Sequence, residues 1–210
     1  MRTPLRVVWI FALLISFAEA GFAQDNSTAP PEAAQAVVAV PQPPPATRLE
    51  ALQLKKGIVL VRGYTDVATL QAEDGSVRVI AVELNDLSRQ VKEFGLALEV
   101  SRGERRALCY VDYDEIEAIG SALESIGKLD NNATKLATFE ASYRSRGGLD
   151  VTSFTDAQGT RMLSIRALQY LDPTGQLVLV TTHLRLSSLP DLTRQLADAR
   201  AMLDKAKNPD

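Results

Sequence analysis

The chain has 210 residues, with 23 Lys and Arg against 26 Asp and Glu, one His, one Cys and 6% aromatic residues. A net charge of −3 offers no general attraction to nucleic acid or to an anionic membrane surface. A single cysteine excludes an intramolecular disulfide framework, and one His with one Cys excludes a zinc-type ligand set within one chain.

Arg2 and Arg6 precede an apolar run over residues 7–18 that only Ser16 interrupts, and small residues follow at Ala18, Ala20, Gly21 and Ala23. That layout predicts a secretory signal peptide over residues 1–23, cut after Ala20 or Ala23. The run is shorter than the roughly 20 residues of a spanning helix, so membrane contact is expected only through an uncleaved signal segment. The expected location is periplasmic or secreted. Pro30, Pro31, Pro41, Pro43, Pro44 and Pro45 then lie among Ala, Gln, Ser and Thr. Such a composition predicts an extended, disordered Pro/Ala-rich tether over residues 24–47. The folded domain is expected over residues 48–207, one domain by size.

Within it, residues 58–61 read as a buried strand, residues 66–71 alternate apolar and polar, and Gly57 and Gly63 bound these pieces. Asp74-Gly75 is a hairpin signal, with residues 77–84 as the return strand. A polar connection leads to a second hairpin, residues 95–100 and 105–113, in which Cys109 reads as a buried thiol. Asp112 and Glu115 form a predicted capping box, and Ile116, Ile119, Leu123, Ile126 and Leu129 keep helical spacing. In the second half, strands are expected over residues 136–143, 149–155, 162–170 and 176–186. A turn is expected around Pro173 and Gly175. Ser188 and Asp191, with Pro190 in the first turn, predict the last helix.

A shift of 84 residues lays Arg62, Gly63, Asp66, Val67, Gly75 and Leu84 over identical residues at 146, 147, 150, 151, 159 and 168. We read an internal duplication: an antiparallel β-meander of about four strands followed by one helix, over about 54–129 and again over 136–205. One such unit buries too little surface alone. Two units packed about a pseudo-twofold, with the helices covering one sheet face, predict a single α+β domain.

The doubled strand-strand-strand-strand-helix unit resembles the topology of the Whirly and Pur-alpha class of single-stranded nucleic-acid-binding domains. Residues 164–176 also resemble the strand–turn–strand of related coactivator domains. The resemblance covers roughly residues 50–205 and implies single-stranded nucleic-acid binding as the alternative function. Those domains work inside the cell on basic, aromatic-bearing sheets, whereas this chain reads as exported and mildly acidic. No functional residue is carried over. The chain also resembles exported bacterial proteins of no known function.

Catalytic chemistry has little to rest on. His183 lies among Thr181 and Arg185 on a strand, no Gly-x-Ser-x-Gly elbow accompanies it, and Ser187 and Ser188 belong to a helix start. The acidic run at Asp112, Asp114, Glu115 and Glu117 lacks the alternating carboxylates and glycine of a calcium loop and suits a helix N-terminus. No catalytic residue, metal ligand or cofactor is therefore assigned. Arg62, Arg144, Arg146, Arg161 and Arg166 fall in or beside strands with Tyr64, Tyr143 and Tyr170 nearby. Arg/Tyr mixtures suit interfaces, and the expected interaction face is Arg144, Arg146, Arg166, Tyr143 and Tyr170. The expected function is a non-enzymatic binding or assembly module of the bacterial periplasm or envelope, with a protein partner or a homo-oligomer and no nucleic acid.

Overall fold

The structure is a computed structural model that describes residues 44–208 except 131, 137, 157 and 170–176. The expected signal peptide, most of the tether, Tyr170 and the turn at 171–175 lie outside the described residues.

A short helix α1 (Arg48–Gln53) leads into strands β1 (Leu60–Gln71), β2 (Ser76–Asp86), β3 (Val91–Arg102) and β4 (Arg105–Asp112). A single 3-10 turn then opens helix α2 (Ile116–Lys128). Strands β5 (Ala141–Arg144), β6 (Leu149–Thr155), β7 (Arg161–Gln169) and β8 (Val178–Arg185) follow, and another 3-10 turn opens helix α3 (Leu189–Lys207). The fold is α+β, as expected: two antiparallel four-stranded meanders in the orders β1-β2-β3-β4 and β5-β6-β7-β8, each followed by a helix.

The two halves form two sheets rather than one, which corrects the expectation of a single sheet face covered by both helices. The sheets meet where β3 packs on β8 and β4 on β7, a reciprocal pairing that marks the pseudo-twofold. Each helix also crosses to the other half. Helix α3 lies on β1, β2 and β3, α2 lies against β5, and the two helices touch. Val77, Val79 and Ala81 of β2, Leu96, Leu98 and Val100 of β3, and Ala107, Cys109 and Val111 of β4 supply one wall of the shared core. Leu149, Val151, Leu163 and Ile165, with the buried stripes of both helices, supply the other. Exchanging helices leaves neither half able to bury its own apolar face alone.

The first sheet is buried on both faces. Alternation sends Ile80, Val82, Leu84 and Ala97 to the opposite side, where Leu49 and Leu52 of α1 cover them. A six-residue helix is not stable alone. Burying two leucines contributes roughly 2 kcal/mol each, and Thr47 and Glu50 form a reciprocal capping box at its start. Thr47 is buried, so the folded region begins one residue before the boundary the proline-rich composition suggested.

Several sequence expectations shift. The two short strands at 58–61 and 66–71 are one strand, and Gly63 sits within it opposite Glu83. Strand β3 starts at Val91 rather than residue 95, because the connection after β2 is a tight turn with Gln90 at φ 56°. The true structural repeat is not the 84-residue shift. That shift lays β1 over β6 and β2 over β7, one strand out of step. Strands β4 and β8 begin at Arg105 and Val178, and α2 and α3 at Ile116 and Leu189, a spacing of 73 in both cases. The hairpin at 101–106 is therefore no insertion but the counterpart of the connection between β7 and β8. Finally, the predicted capping box at α2 does not form, and Ser188 makes no side-chain cap at α3.

Candidate functional site

The expected interaction residues do not share one surface. Arg144, Asp150 and Arg166 stand directly opposite one another across β5, β6 and β7, on the outer face of the second sheet. Both guanidinium groups bind the buried Asp150 carboxylate, which also accepts a hydrogen bond from the Thr152 hydroxyl at 2.8 Å. Burial pushes that carboxyl up, but the bonds from Arg166, Thr152 and Arg144 outweigh it and hold its pKa below the ordinary value. Tyr143 is opposite Val151, so it faces inward to the shared core, and its hydroxyl donates to Glu115.

Arg146 lies in the turn between β5 and β6. Its backbone N–H and Nε donate to Glu115 at 2.9 and 3.3 Å, and its Nη2 is 3.1 Å from Asp114. Arg161 donates to the Leu129 carbonyl at the end of α2. These arginines tie the halves together. Pairing each with an internal acceptor removes the free cation that a phosphate or a partner carboxylate would seek. Tyr170 lies outside the described residues.

His183 is also a fastening point. The Asp74 carboxylate at the β1–β2 turn accepts the His183 backbone N–H at 2.9 Å and the Thr182 hydroxyl at 2.7 Å, and it lies 3.0 Å from His183 Nδ1. Arg102 Nε is 3.0 Å away. Burial pushes the Asp74 carboxyl up, but the hydrogen bonds from Thr182 and His183 prevail and lower it to about 2. Because the folded value lies below the ordinary carboxylate value, this contact stabilises the fold above about pH 4 and is lost as the pH falls toward 2. Allowing for the exposure of the carboxylate, its contribution at neutral pH is about 2 kcal/mol. Asp74→Asn should lower the urea midpoint at pH 7, and the gap from the native chain should shrink through pH 3 and close only below about pH 2. A gap unchanged by acid would refute that assignment.

Cys109 is fully buried, and burial pushes its thiol up to about 12. Its Sγ donates to the Leu98 carbonyl. Among the described residues, no cluster of three or more His, Cys, Asp or Glu side chains is arranged for a metal ion. Nor is any described helix long and apolar enough to cross a membrane. A shallow groove between α2 and α3 is lined in part by Glu117, Ser121, Thr193, Arg200 and Asp204, and Arg200 and Asp204 are bound to each other there.

The sheet edges differ more sharply. Two four-stranded sheets have four edges: β1, β4, β5 and β8. The β8 edge is tied to the other half at His183, where Glu73 N donates to the His183 carbonyl and Asp74 takes the His183 N–H. The β4 edge is tied reciprocally, with Leu108 N donating to Gln169 Oε1 at 3.0 Å and Gly147 pressed on the Tyr110 carbonyl. The β5 edge is four residues long. The β1 edge is twelve residues long, and no described strand pairs with its outer side.

From Val61 to Asp66 every residue of β1 is exposed. Val59 is 61%, Val61 49% and Tyr64 55% exposed. Natural edges are blunted by short length, lysine, proline or bulges. Here only a bulge at Val67, between the Asp66 and Ala68 pairings, interrupts the strand. Arg62 has no carboxylate within 4 Å among the described residues. Its neighbours Val61 and Tyr64 are open, so this half-strand offers backbone, apolar surface and a cation together. The sequence named Arg62 and Tyr64 but gave them no priority, since which edges the other half seals cannot be read from local pattern.

The chain matches no family model, no curated protein and no solved structure.

Proposed function

We propose that the chain is a non-enzymatic binding or assembly module of the bacterial periplasm or envelope, carried on a Pro/Ala-rich tether, that engages a protein by strand addition at β1. One observation carries this reading: β1 is the longest of the four sheet edges and, unlike β4 and β8, it has no backbone bond to the other half among the described residues. Strand addition supplies main-chain hydrogen bonds, and alternate side chains supply selectivity. The internal pairing of Arg144, Arg146 and Arg166 favours this over a single-stranded nucleic-acid platform, which needs basic side chains free to reach phosphates.

The test uses the protein as affinity bait, native beside Val61→Lys and Tyr64→Lys variants, since edge lysines disfavour strand addition. A specific ligand that the native bait retains, and both variants lose at least about tenfold, supports the reading. Retention by both variants overturns the β1 assignment, as does salt-sensitive capture of single-stranded nucleic acid that Arg144→Ala and Arg166→Ala abolish. A turnover lost on His183→Ala would overturn the non-enzymatic reading itself.

A further inference from the structure

We propose that the partner at the β1 edge is a second copy of this chain, joined antiparallel through Arg62, Gly63, Tyr64, Thr65 and Asp66 with Tyr64 opposite its own symmetry mate. This rests on β1 being the binding edge and adds the identity of its occupant. A twofold dimer needs a self-complementary patch, in which each residue meets a fixed counterpart. Only some strands satisfy that condition in any register.

Here the condition is met around Tyr64. Directly opposite residues in an antiparallel pair share a face. With Tyr64 on the axis, Arg62 of each copy stands opposite Asp66 of the other, so both charged positions meet their opposite. Gly63 stands opposite Thr65, leaving room where the strands approach. Within one chain, Arg62, Tyr64 and Asp66 are paired with Leu84, Val82 and Ile80, so all three side chains lie on the same sheet face. Asp66 is already bound by Arg78, yet its side chain remains 61% exposed and able to accept a second guanidinium. Arg62 has no other carboxylate within 4 Å among the described residues.

The bulge fixes where such a ladder must stop. At Val67 the β1 register shifts against β2, and a regular partner strand cannot follow past it. The ladder is thus confined to five residues, centred on Tyr64. The result is one sheet of eight strands, with β1 no longer an edge in either copy. The paired tyrosines move out of water, which gives the association its apolar component.

The experiment is sedimentation of the purified protein with its charge variants. The native chain should dimerise at micromolar concentration. Arg62→Asp and Asp66→Arg each place like charges opposite one another twice, so each alone should weaken dimerisation at least about tenfold. Mixed in equal amounts they should form a heterodimer, because every opposed pair is again of opposite sign. Under mild oxidation Tyr64→Cys should give a disulfide-linked dimer, whereas Thr69→Cys, exposed on the same strand beyond the bulge, should not. Thermal unfolding of each variant shows that it is folded, and the Cys pair keeps the test decisive if a charge variant is not.

A monomer at all accessible concentrations overturns the dimer, as does a dimer indifferent to Arg62→Asp or one that crosslinks equally through residue 69. A monomeric chain that still captures another protein, and loses it on Tyr64→Lys, overturns the second copy alone and leaves the binding-module reading intact.

Discussion

Gly147→Ala is expected to destabilise the fold by about 3 kcal/mol or more. An added Cβ would lie 1.8 Å from the Tyr110 carbonyl oxygen and 2.9 Å from Thr47 Cγ2. Neither neighbour can retreat cheaply. Tyr110 is fixed by the β3–β4 ladder, and Thr47 is the buried N-cap of α1. Gly75 is held the same way, 1.8 Å from the Ser101 carbonyl and 2.9 Å from Thr182 Oγ1 at its Cβ position. Both glycines stand where a turn of one half presses on a strand end, so Gly75→Ala should rank beside Gly147→Ala. Gly120, in α2 with nothing within 4 Å, is the control. An alanine there should stabilise the chain by about 0.5–1 kcal/mol through helix propensity. Urea unfolding followed by circular dichroism separates the three. Equal midpoints for the native chain and Gly147→Ala would mean that the two halves are not closely docked at this turn.

The two turn glycines also show where sequence reading stops. Gly147 was visible as part of a turn, and its match to Gly63 under an 84-residue shift suggested common descent of the positions. In the structure Gly63 lies inside β1 and Gly147 in the β5–β6 turn. Glycine and aspartate recur at turns for local reasons, so six shared residues can align hairpins that are not equivalents. The periodic signal was more reliable. Alternation and helical spacing located α2, α3 and nearly every strand, because each element meets the core on one regular face. What periodicity could not supply was how many sheets those strands make, or that each helix crosses to the opposite half.

The expected interaction residues show the same limit of local pattern. Arg144, Arg146 and Arg166 are basic residues in or beside strands, which is all the sequence says of them. Their carboxylate partners include Asp150, Asp114 and Glu115. Asp114 and Glu115 come from the other half, and Asp150 answers Arg144 and Arg166 only once register is fixed. Two arginines on one buried carboxylate make a clasp across three strands. Conversely, Arg62 and Tyr64 differ from the others only by what is missing around them. An open edge is a property of the whole assembly, and β1 becomes conspicuous once β4 and β8 are seen to be covered.

Asp112→Ala is expected to detach α1 at a cost of about 2–4 kcal/mol. Sequence pattern assigned this carboxylate to the start of α2, four residues downstream in the chain. It instead reaches across to α1, accepting the Arg48 N–H at 3.0 Å and the Leu49 N–H at 3.2 Å. Two of the helix's unpaired amides are satisfied there, and the negative charge opposes the positive end of the helix. Arg48 Nε at 3.8 Å and Arg146 Nη1 at 4.0 Å balance a carboxylate that is itself almost wholly buried. With alanine, those amides lose their acceptor and both guanidinium groups lose a counter-charge. A helix of six residues has no independent stability to fall back on, so Leu49 and Leu52 should lift from Ile80, Val82 and Leu84. Amide exchange at residues 50–54 should then accelerate towards unprotected rates while β2 and β3 stay protected. Asp112→Asn, which keeps one acceptor oxygen, should fall between. Unchanged protection of α1 in Asp112→Ala would mean that leucine burial and the Thr47–Glu50 cap hold the helix unaided. Protection lost throughout the first sheet would mean instead that α1 is an integral layer of the core, and that the first sheet depends on it as the second, open on its outer face, does not.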